Sequence, residues 1–358
     1  MRSAALLLSL LMAPMIYAQE VQVQKQRSLK KWGVPAGNYS GITHIQGDRY
    51  ALISDKQEAD GWTEVCIRFL PSGEIEEVQF IAQHYNTQTL GKARDSEGIV
   101  YVPGKGFYVS AENDQQILEL TEDGNATGHG LSVPACFGTD NIFPNYGFEA
   151  LAYDKRQGIF WTTTEQGLRT DVTAPSTPEN PQPTLLRLQS FNADGQPLCQ
   201  YAYRTDAPIT TRTPRHYAFG VPELLAVDDT TLLVMERELN VPQNYNGAKC
   251  HIRIYSVNPR LGEPITNLTQ PLQDMDEKKF LPKKLLYAFS TGIRFLGRKN
   301  LANYEGMCLG PHLEDGRQTI LLIADSQNRA GNPLFHLKDY VRVIITPSNS
   351  PRGEKDGR

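Results

Sequence analysis

The segment Glu149-Ala150-Leu151, which leads through the turn Lys155-Arg156-Gln157-Gly158 to Thr163-Thr164-Glu165, is one of five similar segments in the chain. Each begins with a small or acidic residue, continues through an apolar run, a short turn and a second apolar run, and ends on a carboxylate. The other copies are Ser40-Gly41-Ile42 to Asp55, Glu97-Gly98-Ile99 to Glu112, Glu223-Leu224-Leu225 to Glu236, and Glu305-Gly306-Met307 to Asp325. Short runs rich in β-branched and aromatic residues around such turns predict β-hairpins, and their recurrence predicts a repeat architecture.

A second hairpin follows several of these segments, for example Val65 to Leu70 turning back into Glu77 to Ala82. Four antiparallel strands repeated in series form the blade of a β-propeller. We therefore predict an all-β propeller with five clear repeats and five or six blades. The sixth would lie between Leu261 and Asn300, where Lys284 to Ser290 has the pattern of a strand. The N-terminal run Val21 to Leu29 alternates apolar and polar residues, and we expect it to complete the last blade and close the ring.

The two ends of the chain differ in composition from the repeats. Arg2 precedes the apolar stretch Ala4 to Met12, and Ala18 is a small residue at a plausible cleavage point, which together are typical of a secretory signal peptide. We expect residues 1–18 to be this signal peptide, 19–346 to be one propeller domain, and 347–358 to be a polar, disordered tail. No cysteine follows the apolar run, so we expect a periplasmic or secreted protein without a lipid anchor.

Charge and hydropathy exclude two classes of partner. The 358 residues carry a formal net charge of −4, whereas a nucleic-acid-binding protein would show a basic stripe. No later stretch approaches the roughly 18 apolar residues of a membrane span. We therefore expect a monomer that acts on a small molecule, with neither nucleic acid nor a membrane span involved.

Strand pairing predicts that the carboxylates of the repeats meet. In a hairpin the start of the first strand lies beside the end of the second, so the first and last positions of every repeat belong to one end of the ring. The long loops belong to the same end, which is where sites on rigid scaffolds are usually built. Nine carboxylates are thereby expected around one mouth, and all nine are candidate metal ligands: Asp55, Glu97, Glu112, Glu149, Glu165, Glu223, Glu236, Glu305 and Asp325.

Carboxylates this close together repel one another unless a cation compensates them. Bound Ca²⁺, which prefers oxygen ligands, is one source of compensation. Lysine and arginine side chains of the long loops are another, and the candidates for binding an anionic substrate are Arg212, Arg215, Arg237 and Arg329. The structural alternative is that each carboxylate ties neighbouring blades together, either by accepting backbone N–H groups or by pairing with an arginine.

The repeated motifs are similar to those of the phytase-like, "esterase-like activity of phytase", family of secreted bacterial proteins. The matching elements run in order through most of the chain: Asn38-Tyr39-Ser40-Gly41-Ile42, Asp95-Ser96-Glu97-Gly98-Ile99, Tyr146-Gly147-Phe148-Glu149-Ala150-Leu151, Trp161-Thr162-Thr163-Thr164-Glu165 and Asn303-Tyr304-Glu305-Gly306-Met307. The resemblance implies a relationship to β-propeller phytases, which cleave phosphomonoesters with Ca²⁺ held by acidic groups at the channel mouth. It assigns an acidic ring but no individual catalytic residue.

The leading hypothesis is a Ca²⁺-assisted hydrolase of phosphate esters or related esters, with Glu149 or Glu223 as general base. Guanidinium groups suit phosphate oxygens, which is why the arginines above are the candidate substrate contacts. Two alternatives remain open on the sequence alone. One is a non-catalytic envelope protein that binds a ligand through the same loops, and the other is a lactonase-like, metal-dependent hydrolase.

Overall fold

The computed structural model describes residues 21–92, 94–210, 214–297, 299–331 and 336–347. The expected signal peptide, Arg212 and all of the C-terminal tail except Pro347 lie outside the described residues. Strands dominate the described ranges, which contain short 3-10 helices but no α-helix. No helix in these ranges is long and apolar enough to cross a bilayer.

The strands form five antiparallel sheets, each of which is one propeller blade. Blade 1 contains β3 (Tyr39–Gln46), β4 (Arg49–Ser54), β5 (Gly61–Phe69) and β6 (Ile75–Tyr85). Blade 2 contains β7 (Ser96–Val102), β8 (Gly106–Ala111), β9 (Gln116–Leu120) and β10 (Ala126–Gly130). Blade 3 contains β11 (Phe148–Asp154), β12 (Ile159–Thr164), β13 (Leu185–Phe191) and β14 (Pro197–Arg204). Blade 4 contains β15 (His216–Ala226), β16 (Leu232–Val241), β17 (Lys249–Val257) and β18 (Lys283–Gly292).

Blade 5 joins the two ends of the described chain. It contains β19 (Asn303–His312), β20 (Gln318–Asp325) and β21 (Tyr340–Thr346). The short strands β1 (Gln22–Val23) and β2 (Arg27–Ser28) both pair antiparallel with β21 and supply its outer partner. The prediction that the N-terminal run completes the last blade is confirmed, and this pairing leaves β21 without an open edge.

The predicted propeller is confirmed with five blades, so the possible sixth blade is wrong. The strand expected at Lys284 to Ser290 does exist, but as β18 it pairs with β17 and forms the outer strand of blade 4. The residues between these two strands form 3-10 turns and irregular structure. This long connection accounts for the extra length that suggested another repeat.

The inner strands β3, β7, β11, β15 and β19 contact one another in sequence, and β19 contacts β3 to close the ring. Their backbones approach closely where the repeat carries glycine. A Cβ atom at Gly98 would lie 2.6 Å from the carbonyl oxygen of Glu149, and one at Gly41 would lie 2.6 Å from that of Glu97. Small residues at this position therefore set how tightly the blades surround the axis.

Apolar side chains fill the space between neighbouring blades. One cluster joins Ile53 and Trp62 of blade 1 to Ile99 and Phe107 of blade 2, and the Trp62 and Phe107 rings lie 4.3 Å apart. Burial of one such large side chain contributes roughly 1.5–3 kcal/mol. Because every blade is covered on both faces, the inner strands are held rigidly, and so are the residues at their ends.

The loops are distributed unequally between the two ends of the ring, as predicted, except that the long connection 258–282 between β17 and β18 lies at the end with the tight turns. Tight turns such as 47–48 and 103–105 connect the first two strands of each blade at one end. The long connections 165–184, 131–147 and 326–339 all belong to the opposite end. The start of each inner strand lies at this loop-rich end.

Candidate functional site

Irregular pairing at the start of the inner strands places three glutamates at the loop-rich end. In blade 3 the register shifts between Phe148 and Ala150, so that Glu149 is an extra residue without a partner on β12. Glu305 has the same position in blade 5, where the register shifts between Tyr304 and Gly306. A β-bulge of this kind re-aims a side chain. Glu97 lies in the corresponding irregularity of blade 2, between Ser96 and Ile99.

A second group of carboxylates comes from the end of the neighbouring strand of each blade. Asp55, Glu112 and Glu165 each follow the last residue of β4, β8 or β12, and Asp325 is the last residue of β20. Antiparallel pairing brings these positions beside the bulged glutamates. We refer to the combined cluster as the acidic mouth, and it contains Asp55, Asp95, Glu97, Glu112, Glu149, Glu165, Glu305 and Asp325.

Two groups of three carboxylates within the acidic mouth have the spacing of a metal site. Asp55, Asp95 and Glu97 each offer an oxygen within 4.8 Å of the others, and so do Glu97, Glu112 and Glu149. Glu97 belongs to both groups. Seven of the nine carboxylates expected at the mouth from the sequence are thus brought together, and Asp95 is added to them.

Burial and mutual repulsion hold protons on several of these groups. The pKa of Glu97 is raised well above its usual value, first by burial and then by the charges of Glu149 and Asp55. Burial raises the pKa of Glu165 to about 8 against the opposing effect of Arg237. Burial likewise raises the pKa of Glu305 to about 7. A bound cation would reverse these shifts because it stabilises the ionised form.

Among the residues that the structure describes, two basic side chains belong to the acidic mouth. The Lys56 ammonium lies 2.7 Å from Oδ2 of Asp55 and 3.1 Å from Oδ1 of Asp95. The guanidinium of Arg237 is 3% exposed, donates to Oε1 of Glu165 and lies 3.5 Å from Oε1 of Glu305. Two cations beside eight carboxyl groups leave an excess of acidic groups.

Two buried atoms at the mouth have no hydrogen-bond partner among the described residues, namely Oδ1 of Asp55 and Nε of Arg237. An unpaired buried polar atom is costly and points to a missing partner. The Asp55 oxygen fits a cation, and the Arg237 nitrogen fits an anionic oxygen. The donor set, made only of carboxylate oxygens, suits a hard divalent ion such as Ca²⁺.

Glu223, predicted both as a metal ligand and as general base, lies apart from the acidic mouth. Its carboxylate accepts hydrogen bonds from the N–H groups of Leu224 at 2.9 Å, Leu151 at 3.2 Å and Met307 at 3.4 Å. Leu151 and Met307 belong to the inner strands of the blades on either side. Glu223 therefore ties three blades together, as in the structural alternative, and burial raises its pKa.

Glu236 also lies apart from the mouth. It accepts from the Tyr203 hydroxyl at 2.8 Å and from Lys283 at 2.6 Å, and the N–H of Asp206 completes its partners at 3.0 Å. These contacts join blade 4 to Tyr203 of blade 3 and to the segment that follows it. Here too the carboxylate has a structural set of partners.

Glu223 and Glu236 lie apart from the mouth for the same reason: relative to the bulge, both are displaced by one residue from the positions of Glu149 and Glu165. In blade 4 Glu223 pairs with Met235, as Ala150 pairs with Thr163 in blade 3. Glu223 thus has the position of the small residue rather than that of the bulged glutamate. The residue that matches Glu165 is then Arg237, not Glu236, and a shift of one residue moves a side chain to the other face of a strand.

The arginines predicted to bind substrate also do not all lie at the acidic mouth. Arg212 lies outside the described residues, and of the other three only Arg237 lies in the acidic mouth. Arg215 is exposed, its N–H donates to the Val241 carbonyl at 2.7 Å, and its guanidinium lies 5.5 Å from the Tyr245 ring centre. Arg329 is exposed and borders a different cavity, beside Lys30 and Lys338.

Asp95 is the residue of the mouth that the repeat did not reveal. It precedes β7 and adopts a left-handed backbone conformation with a φ of 60°, which turns it toward Lys56. The tripeptide Asp95-Ser96-Glu97 could have indicated Asp95 as a further acidic residue of the mouth. An aspartate two residues before the bulged glutamate occurs at no other repeat.

Comparison with known proteins gives one family and several distant structures. A family model described as "Phytase-like: Esterase-like activity of phytase" matches residues 34–327. No curated protein matches the sequence significantly. Similar solved structures include virginiamycin B lyase from Staphylococcus aureus, with 10% identity over 92% of this chain and 100% of that chain and a TM-score of 0.36. A luciferin-regenerating enzyme has 12% identity over 91% of this chain and 96% of that chain, with a TM-score of 0.38. An N-acetylgalactosamine deacetylase from F. plautii has 9% identity over 86% of this chain and 89% of that chain, with a TM-score of 0.43.

Identities and TM-scores this low carry no statement about activity. The family model, in contrast, spans most of the chain and contains every residue of the acidic mouth. The chain belongs to the phytase-like family, "Esterase-like activity of phytase".

Proposed function

We propose that the acidic mouth binds a hard divalent cation, Ca²⁺, and that the protein hydrolyses a phosphate ester or a related ester there. The observation that carries the proposal is the pair of carboxylate groups that share Glu97. Buried carboxyl groups with raised pKa values at a convergent mouth are typical of functional sites. Membership of the phytase-like family supports an ester as the class of substrate.

The residues proposed to hold the cation are those of the two groups, namely Asp55, Asp95, Glu97, Glu112 and Glu149. When bound, such an ion polarises a phosphoryl or carbonyl oxygen as a Lewis acid. Glu223 and Glu236 are left out of the proposed centre because backbone N–H groups and side chains of neighbouring strands already occupy their oxygens.

Arg237 is the proposed contact for an anionic oxygen of the substrate. Its guanidinium is held in place by Glu165 and Glu305, and its Nε has no partner among the described residues. Charge-assisted hydrogen bonds from arginine to phosphate are strong and directional. Burial lowers the pKa of Arg237, but the charges of Glu165 and Glu305 more than offset this and raise the pKa overall, so the group stays charged.

Glu149 is the proposed general base. It lies beside the shared Glu97, and burial together with the charges of Glu165 and Glu112 raises its pKa well above the usual value. A bound cation would keep this carboxyl group ionised, and an ionised carboxylate at hydrogen-bond distance from a water can accept a proton from it. The partner of such a base is the water that attacks the ester.

Export fits this chemistry, and we propose that residues 1–18 direct the chain to the periplasm or the exterior. Calcium sites of modest affinity are typical of extracellular modules. The expected monomeric state remains a prediction.

The first test replaces the residue that both carboxylate groups share. We expect Glu97→Gln to weaken Ca²⁺ binding at least about tenfold, because one charged ligand is lost from both groups. The change is measured by calorimetric titration of Ca²⁺ into metal-free protein. Hydrolysis of a phosphomonoester, a carboxyl ester and a lactone is measured in parallel, with and without Ca²⁺.

Glu119→Gln is the matched control, since Glu119 lies on β9 of the same blade and bonds the Tyr108 hydroxyl away from the mouth. It should leave Ca²⁺ affinity and turnover unchanged. Ca²⁺ binding without turnover of any ester would favour a ligand-binding propeller, and turnover of the lactone alone would favour the lactonase-like alternative. Equal Ca²⁺ affinity in the Glu97 variant and the unmodified protein would contradict the proposed centre.

A further inference from the structure

A second cavity lies on the channel axis at the end of the ring opposite the acidic mouth. It has a volume of about 280 Å³ and is lined by all five inner strands. Its walls include Ile99, Leu151, Leu224 and Met307. Most of its lining is apolar, so it suits the apolar part of a ligand.

Glu223 separates this cavity from the acidic mouth. Its carboxylate bonds the N–H groups of Leu151, Leu224 and Met307, which all line the cavity. With a side chain only 2% exposed, Glu223 presents no accessible charge to the cavity. The cavity is therefore a site of its own and not an extension of the acidic mouth.

The opening of the cavity is basic. Lys155 and Arg156, in the turn between β11 and β12, both line it and are both exposed. Among the described residues no carboxylate pairs with the Lys155 ammonium. The neighbouring Asp154 is engaged by its own turn, because its oxygens accept from the N–H groups of Arg156 at 2.9 Å and Gln157 at 3.3 Å and from the Gln157 side chain at 2.6 Å.

Lys155 is close to the interior of the cavity as well as to its edge. Its charge acts on the Cys308 thiol and on the His44 ring, both of which line the cavity. His44 lies at this end of the ring because it is near the end of β3, and its Nε2 is 2.8 Å from the Gly47 carbonyl oxygen. An unpaired ammonium above apolar walls is complementary to an anion with an apolar body.

We propose that this cavity is a second binding site, for a small amphipathic monocarboxylate whose apolar body occupies the space between the inner strands and whose carboxylate meets Lys155. The site is independent of the proposed hydrolysis at the acidic mouth. Arg156 contributes a further positive charge at the opening. The volume limits the ligand to a short chain.

Octanoate is the probe, and octan-1-ol is the matched neutral ligand. Calorimetric titration at low ionic strength should show octanoate binding that weakens as salt is added, because salt screens the ion pair. Octan-1-ol should bind at least about tenfold more weakly, which corresponds to 1.4 kcal/mol. Both titrations are repeated with Ca²⁺ present, which should leave the octanoate affinity unchanged.

Lys155→Met keeps the length of the side chain and removes its charge. We expect it to weaken octanoate binding about tenfold while leaving octan-1-ol binding unchanged. Lys105→Met is the matched control, since Lys105 lies in the equivalent turn of blade 2, where its ammonium donates to the Ala193 carbonyl at 2.5 Å. It removes the same charge from the same end of the ring without touching the cavity.

Ala226→Phe, at a half-buried position of the cavity wall, should block both ligands. The melting temperature of every variant is measured first, and the exposed Lys155 variant decides the question if the Phe variant does not fold. Equal binding of octanoate and octan-1-ol, or unchanged octanoate binding in Lys155→Met, would overturn the proposal. Octanoate binding that disappears in Glu97→Gln but not in Lys155→Met would place the ligand at the acidic mouth instead.

Discussion

Glu149 and Glu223 carry the same side chain on neighbouring inner strands, yet only Glu149 lies in the acidic mouth. The difference is the position of each residue relative to the bulge, since Glu149 is the extra residue and Glu223 follows it. The sequence pattern Glu-apolar-apolar looked the same at both places. A single-residue shift has no effect on hydrophobic periodicity averaged over a strand, but it decides which way a side chain points.

Glu223 provides the clearest test at the scale of the residue. Glu223→Ala restores the small side chain that Ala150 has in blade 3, but leaves the N–H groups of Leu151 and Met307 without their acceptor. We expect a loss of about 3 kcal/mol in the free energy of unfolding, from unpaired donors and the vacated volume. Urea denaturation measures this loss.

Ca²⁺ affinity in the same variant distinguishes a structural role from a ligand role. We expect it to remain within about twofold of the unmodified protein, since Glu223 lies outside both carboxylate groups. A variant that loses Ca²⁺ binding but keeps its stability would instead show that Glu223 is a Ca²⁺ ligand.

At the scale of the strand, the repeat predicted the elements better than their exact registers. Hairpins, tight turns at one end and the closing N-terminal strand all followed from alternating patterns and turn residues. Blade 4 has the same one-residue bulge as blade 3, with Val221 and Pro222 both opposite Glu236, but its glutamate follows the extra residue instead of being that residue. The alternating pattern does not mark which residue of a strand is the extra one, so the repeat alone does not decide which way a side chain points.

The position of Gly98 links strand packing to the proposed site. Gly98→Ala would place a Cβ atom 2.6 Å from the Glu149 carbonyl oxygen and 2.6 Å from Oγ of Ser110, so β7 or β11 must shift. We expect a cost of about 1–3 kcal/mol in stability. Because both strands carry carboxylates of the mouth, Ca²⁺ affinity should fall as well.

Ala150→Gly is the control for this variant. Blade 3 already accommodates a methyl group at the equivalent position, so its removal creates no clash and costs about 1–2 kcal/mol through backbone entropy and the loss of one buried methyl group. Urea denaturation and Ca²⁺ titration are compared for both variants. An undiminished Ca²⁺ affinity in Gly98→Ala would show that the mouth tolerates movement of its strands.

At the scale of the whole molecule, ring closure determines which distant residues meet. Asp55 and Asp325 lie at opposite ends of the sequence, yet the charge of Asp55, after burial and the charge of Glu305, raises the pKa of Asp325. The ring gathers acidic groups at one end of the axis and leaves a basic cavity at the other. Composition alone did not indicate this polarity, because the chain as a whole is nearly neutral.

The acidic mouth also predicts how stability depends on pH. In the unfolded chain a glutamate ionises near pH 4.5, whereas in the folded protein the pKa of Glu305 is about 7 and that of Glu165 about 8. Between these values the folded state binds more protons than the unfolded state. The free energy of unfolding of the metal-free protein should therefore decrease as pH rises from about 5 to about 8.

Ca²⁺ should reverse this trend, because it binds the ionised carboxylates and stabilises only the folded ring. We expect the melting temperature of the metal-free protein to be lower at pH 8 than at pH 5.5, and the increase produced by Ca²⁺ to be larger at pH 8. Thermal unfolding with chelator and with Ca²⁺ across this range measures both effects. The Ca²⁺-dependent increase in melting temperature should be smaller in Glu97→Gln and unchanged in Glu119→Gln. If Ca²⁺ leaves the pH profile unchanged in all three proteins, the buried carboxylates do not hold a cation.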